Sequence, residues 1–204
     1  MTTEPFPMTK IPTVRVLAGS MVLLAAVLTG CSDDPKETAT PAGPASDTLL
    51  AGYGLDGMET VEVIDHLDRL GGDDRPSDLM ASVRPSELLV STGDEEYSLE
   101  VPDGRFYLSV APYVDTTHEC FNHSLTTCQG ELTETDVDVT ITDDTNDEVL
   151  VDEVRTTFAN GFVGFWLPRD IEGTVSVEYD GKAGEVDFAT GEESPTCLTT
   201  LQLT

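Results

Sequence analysis

Between His118 and Cys128 the chain reads His118-x-Cys120-x2-His123-x4-Cys128, so two of its three histidines and two of its four cysteines fall in one short segment. Thiolates and imidazoles are soft and borderline ligands suited to Cu(I), Zn(II) and related ions, and a packed core gives no reason to gather them. A third thiol, Cys197, lies near the C-terminus. Zinc fingers use tight paired spacings, and this pattern matches none of the common ones. Two or three thiolates with optional imidazoles suit Cu(I), which accepts low coordination and prefers sulfur. The same residues also permit a plainer arrangement, a Cys120–Cys128 disulfide closing a loop with Cys197 buried. Ligand chemistry leaves both open.

The remaining cysteine, Cys31, has a separate reading. Lys10 and Arg15 precede an apolar run, Val16 to Leu28, that is too short to span a bilayer comfortably and reads as the core of an export signal. The run ends in Leu28-Thr29-Gly30-Cys31, which resembles a bacterial lipobox, in which the cysteine is lipidated and becomes the mature N-terminus. Residues 1–30 are therefore expected to be a lipoprotein signal peptide. Residues 31–46 are the lipidated Cys31 and a flexible tether, nearly free of large apolar side chains, with a reach of roughly 20 Å. With Cys31 lipidated, three cysteines remain. An odd number cannot all pair within one chain, so at least one thiol is free, metal-bound or intermolecular. Air oxidation without metal is expected to close Cys120–Cys128, because that loop is the short one.

These ligands need elements to hold them. Glu59–Leu70 carries Val63, Leu67 and Leu70 at helical spacing, with Val61 and Ile64 widening the stripe and Gly71-Gly72 stopping it. His66 sits beside that stripe and reads as a packing residue. Two near-copies follow, Arg75-Pro76-Ser77-Asp78-Leu79 and Arg84-Pro85-Ser86-Glu87-Leu88, and proline followed by an acid predicts two short helical turns. From about Tyr97 the period becomes two. Phe106, Leu108, Val110 and Val114 alternate with other residues, as do Val137, Val139 and Ile141, and Glu148–Arg155 is a further strand. Asn160-Gly161 and Asp180-Gly181 are hairpin turn signals, and Leu198, Leu201 and Leu203 make a last strand. Phe162 to Trp166 reads as core. Many short strands punctuated this way predict an antiparallel sandwich. Asp143 to Glu148 lacks the glycine of a calcium loop and reads as a polar loop.

The chain is strongly acidic, with 39 Asp and Glu against 10 Lys and Arg, a formal net charge of −29. Such a surface repels phosphate backbones, which argues against nucleic-acid binding. It reads as a solubility adaptation to a salty exterior, where salt screens the self-repulsion.

From about Leu55 onward the sequence resembles the periplasmic copper-binding protein CueP family. The matching blocks are His66-Leu67-Asp68-Arg69-Leu70, Leu79 to Pro85, Ser109 to Val114, Thr117 to Leu132, Asn160 to Arg169, and Pro195 to Leu203. The family's copper-linked cysteines fall on Cys120, Cys128 and Cys197. The resemblance implies an α+β fold, with a small N-terminal α/β lobe over 47–102 and a C-terminal antiparallel β-sandwich-like, copper-binding lobe over 103–204. It implies an extracytoplasmic protein that sequesters Cu(I) for copper resistance and passes it to a copper-accepting secreted protein. Cys120, Cys128 and Cys197 are then thiolate ligands, with His118 and His123 as auxiliary ligands, transfer ligands or donors behind the ligands. The lipobox and the acidic surface depart from the family's soluble periplasmic setting and place this chain on the outer face of the cytoplasmic membrane. No enzymatic activity is expected. The alternatives are a disulfide-stapled structural envelope lipoprotein and a thiol-dependent Cu(II) reductant. A thiol–disulfide oxidoreductase is disfavoured by the lack of a C-x-x-C motif.

Overall fold

A computed structural model describes residues 40–41 and 43–204. Cys31, the signal segment and most of the tether lie outside the described residues. Among the described residues a two-residue strand precedes two helices, α1 (Pro44–Ala51) and α2 (Thr60–Asp68). The Glu62 carboxylate accepts the Glu59 N–H at 2.9 Å, closing the first turn of α2. Val63, Ile64 and Leu67 point into the core, each burial stabilising by roughly 1.5–3 kcal/mol. After Asp68 the helix tightens, with the Leu70 N–H donating to the Leu67 carbonyl, and it ends at Gly71 and Gly72. Gly71 is required by proximity, since a Cβ there would meet the Ala159 backbone at 2.5 Å. His66 is exposed on the outer side of α2.

Twelve strands follow the order of the chain among the described residues: β1 (Thr40–Pro41), β2 (Met80–Val83), β3 (Glu87–Thr92), β4 (Glu95–Glu100), β5 (Arg105–Val110), β6 (His123–Ser124), β7 (Asp136–Asp143), β8 (Glu148–Thr156), β9 (Val163–Pro168), β10 (Glu172–Tyr179), β11 (Lys182–Ala189) and β12 (Cys197–Leu198). They form three sheets, in the orders β1-β4-β3-β2-β6, β11-β10-β7-β8 and β12-β5-β9. Pairing is antiparallel except for β1 with β4 and β12 with β5. The result is an α+β fold with a β-rich portion. Among the described residues no helix is long and apolar enough to cross a membrane.

Two apolar clusters lie on opposite sides of β5. Phe106, Leu108 and Val110 face Val139, Ile141, Val175 and Val177 of the four-stranded sheet, which makes a sandwich. Tyr107 turns the other way, into a cluster built from α1, α2 and β2 to β4. The expected alternation over 106–110 is therefore present, but both faces are buried because β5 lies in a middle layer. Val114 falls beyond the strand.

Two turn expectations are overturned. Arg84-Pro85-Ser86 is the bend of the β2–β3 hairpin and Glu87-Leu88 already belongs to β3, while Arg75 to Leu79 is irregular, so neither copy is a helical turn. Proline's fixed φ suits a tight turn as well as a helix start, and burial of Ala81, Val83, Leu88 and Val90 favours the strands. Asn160-Gly161 does turn the chain, with Gly161 at φ 80°, but it connects β8 of one sheet to β9 of another and is not a hairpin. Asp180-Gly181, with φ of 48° and 75°, is the hairpin turn between β10 and β11. Asp143 to Glu148 is a polar turn between β7 and β8, pinned by Asp143 and Asn146 side chains that accept backbone N–H groups.

Candidate metal centre

Two segments far apart in sequence, residues 120–128 and the stretch around Cys197, deliver the sulfur and imidazole groups to one place, where β2 and β5 position them. β6 pairs with β2 so that His123 lies opposite Val83, and the His123 N–H donates to Thr196 Oγ1 at 3.0 Å. Thr196 Oγ1 in turn donates to the Val83 carbonyl at 2.7 Å, tying the C-terminal segment to the same place. A turn after β6, with the Cys128 N–H donating to the Ser124 carbonyl, folds Cys128 back toward His123. β12 runs parallel to β5 and sets Cys197 beside Ser109. The N–H groups of Thr196 and Cys197 both donate to the Phe121 carbonyl, which places Cys120 against Cys197.

One ligand atom from each of Cys120, His123, Cys128 and Cys197 lies within 4.8 Å of the other three. Tetrahedral bonds of about 2.3 Å need donor atoms about 3.8 Å apart, so small side-chain rotations would fit an ion once no two of the sulfurs are bonded to each other. Cys120 and Cys197 are joined by a disulfide with Cα atoms 5.6 Å apart, and Cys128 is free. Cys128 Sγ lies 3.5 Å from Cys120 Sγ. Two bonded sulfurs cannot both serve one ion, so metal capture by all three requires this bridge to be reduced.

The bridge corrects the expected Cys120–Cys128 pairing. Loop length governs closure in an unfolded chain. In the folded protein the pairing of β12 with β5 has already brought Cys197 to Cys120, so the separation of 77 residues in sequence no longer matters.

Behind the sulfurs lies a buried polar network. His123 Nε2 is 2.7 Å from Asp68 Oδ1, and both side chains are completely buried. Asp68 also accepts from Tyr107 Oη at 2.6 Å, Ser109 Oγ at 3.2 Å and Asn160 Nδ2 at 2.8 Å. Asn160 Oδ1 holds the Phe162 N–H at 2.8 Å, and the Phe162 ring lies 4.5 Å from the His123 ring. Phe162 is thus core, as expected, but it is core that floors the site with Ala111, Cys128 and Cys197.

Burial raises the Asp68 carboxyl, but the His123 charge and the hydrogen bonds from His123, Tyr107 and Asn160 outweigh it and hold the group below its ordinary value. Burial disfavours protonation of His123, yet the Asp68 charge and hydrogen bond, helped by Cys128, push it up to about 9. Burial likewise raises the Cys128 thiol, whereas hydrogen bonding and charge from His123, then His118 and the Ser124 N–H, bring it down to about 7. Such a thiolate is a ready ligand and nucleophile.

His118 does not join the set of four. Its ring stands edge-on to Phe162 at 6.2 Å, beside Cys128, and Nε2 is buried without a hydrogen-bond partner. It lines two adjoining cavities, of about 480 and 400 Å³, that open on the Cys128 and Cys120 sides. The sequence reading missed Asp68, Tyr107, Ser109 and Asn160. Asp68 left one signal: it lies four residues after Ile64, on the helix face that otherwise buries apolar side chains.

The family described as periplasmic copper-binding protein CueP matches residues 62–202. The crystal structure of S.CueP aligns with a TM-score of 0.75 at 40% identity, covering 80% of this chain and 99% of that one. No curated protein matches. The matched region contains every member of the four-residue cluster and the Asp68 network behind it, and the chain belongs to the CueP family of periplasmic copper-binding proteins.

Proposed function

We propose that the chain is a non-catalytic copper-sequestering protein of the cell envelope, which in its reduced state holds Cu(I) through Cys120, Cys128 and Cys197 with His123 as the nitrogen ligand. The observation that carries this reading is the convergence of three sulfurs and one imidazole within 4.8 Å. Sulfur-rich donor sets favour Cu(I) over harder ions. Cys120 and His118 are partly exposed, which leaves an approach for a copper-accepting secreted protein. His118 serves as a transfer ligand on that approach. Lipidation of Cys31 would hold the domain at the outer face of the cytoplasmic membrane.

A competition titration of the reduced protein tests the reading. Cu(I) should bind far more tightly than Zn(II), and joint replacement of Cys120, Cys128 and Cys197 by serine should abolish the tight site. Equal or stronger preference for zinc would refute it.

The disulfide favours a second reading, thiol-dependent reduction of Cu(II). Two thiols losing two protons and two electrons convert two Cu(II) to two Cu(I) and leave one disulfide, here Cys120–Cys197. Without an external reductant the process stops after that exchange, so it is stoichiometric. It predicts two Cu(I) formed per reduced monomer, with one thiol left.

A further inference from the structure

Asp68 is an acid at a fully buried position of an otherwise apolar helix face. A carboxylate is tolerated there only if its lone pairs are filled. They are filled from three directions: Tyr107 and Ser109 of β5 donate to Oδ2, while Asn160 of the β8–β9 corner donates to Oδ1. This leaves Oδ1 aimed at His123 Nε2 at 2.7 Å. A carboxylate only accepts hydrogen bonds, so the nitrogen facing it carries the proton. Nδ1, on the other side of the ring, lies 3.6 Å from Cys197 Sγ and is the nitrogen left to face a metal ion. The Phe162 ring, itself held through Asn160, packs against the imidazole and limits its tilt.

We propose that Asp68 is a positioning residue for metal capture, keeping the proton on His123 Nε2 so that Nδ1, which gives up its proton as the metal binds, is a fixed fourth ligand beside the three sulfurs. The role rests on the reading of the cluster as a Cu(I) site. Carboxylates behind metal-bound histidines fix ring orientation and raise ligand basicity, and their loss costs about 10- to 100-fold in metal affinity. His118 has no such support: its Nε2 is without a hydrogen-bond partner, and it stands outside the group of four.

Asp68→Asn separates positioning from simple support. The substitution keeps shape, but its amide can turn an N–H toward Nε2, which forces the proton onto Nδ1 and blocks the ligand atom. Reduced full-length protein would be titrated with Cu(I) in a chelator competition, for wild type, Asp68→Asn, His123→Ala and the double variant. Asp68→Asn should weaken Cu(I) binding about 10- to 100-fold and should cost nothing further once His123 is alanine. Nitrogen-15 NMR of Cu(I)-loaded wild type should show a protonated Nε2 and a metal-shifted Nδ1 on His123. This measurement stands even if Asp68→Asn fails to fold.

Copper on Nε2 with a proton on Nδ1 would overturn the proposal. Wild-type affinity in a folded Asp68→Asn protein would overturn it too, as would an undiminished Asp68→Asn effect in the His123→Ala background. Wild-type protein that bound no Cu(I) would defeat the proposed function and this role together, whereas the other outcomes defeat the role alone.

Discussion

Burial alone would raise the Cys128 thiol above its ordinary value, yet the His123 imidazolium, His118 and the Ser124 N–H bring it down to about 7. His123, supported by Asp68, holds its proton up to about 9. Below about 7 the pair is thiol and imidazolium, between about 7 and 9 it is thiolate and imidazolium, and above about 9 the imidazole becomes neutral. Metal-free protein carrying the Cys120–Cys197 bridge should therefore show one alkylatable thiol per monomer, Cys128, with a rate that reaches half its plateau near pH 7. In His123→Gln the midpoint should move up toward that of an ordinary thiol. An unchanged midpoint in that variant would show that His123 does not activate Cys128. Mapping the labelled cysteine by mass spectrometry checks the bridge in the same sample.

β5 works on both of its faces. One face fills the sandwich with Phe106, Leu108 and Val110, and the other sends Tyr107 and Ser109 to Asp68. That second face depends on Gly164 of β9, which pairs with Ser109, because a Cβ at 164 would fall on the Tyr107 hydroxyl. Gly164→Ala should push Tyr107 off Asp68 and cost about 1–3 kcal/mol in urea unfolding, the range for overpacking with a lost buried hydrogen bond. In a Tyr107→Phe background the hydroxyl is gone and the same substitution should cost markedly less. Equal costs in the two backgrounds would mean that Gly164 serves backbone packing and not the Asp68 network. The β8–β9 corner has a similar requirement. The Gly130 N–H donates to the Asn160 carbonyl at 2.7 Å, and Gly130 and Gly161 touch backbone to backbone, which leaves no room for a Cβ at either position. This contact fixes Asn160 where it can reach both Asp68 and Phe162.

The molecule as an assembled object is a strongly acidic domain, at −29 for the whole chain, whose candidate site is neither at an acidic patch nor a calcium-like loop but in a buried sulfur and imidazole cluster. The acidic surface can concentrate cations weakly, and selection among them falls to the buried donors. If Cys31 carries lipid, the lipid keeps the domain near the membrane. Wild type should then fractionate with membranes, and Cys31→Ser should release it with its Cu(I) titration unchanged. Wild-type protein found wholly in the soluble fraction would refute the anchor.

Several features of this protein can be read from local sequence. The period of α2, the alternation in β5 and β7, and the Asp180-Gly181 hairpin are short-range properties, because side-chain direction repeats every 3.6 or 2 residues and a turn needs only its own backbone angles. The concentration of ligand types at His118 to Cys128 is likewise visible without a fold. What periodicity does not carry is which partner a strand chooses. It therefore missed that Asn160-Gly161 joins two different sheets, that β5 is buried on both faces, and that β12 enters parallel to β5 with Cys197. The disulfide follows from that last choice, since the pairing of β12, and not the short loop between Cys120 and Cys128, brings two sulfurs together. Asp68 is the sharpest case. In the sequence it is one acid among 39, and only the packing of α2 against β5, β6 and the β8–β9 corner surrounds it with donors and makes it the partner of His123.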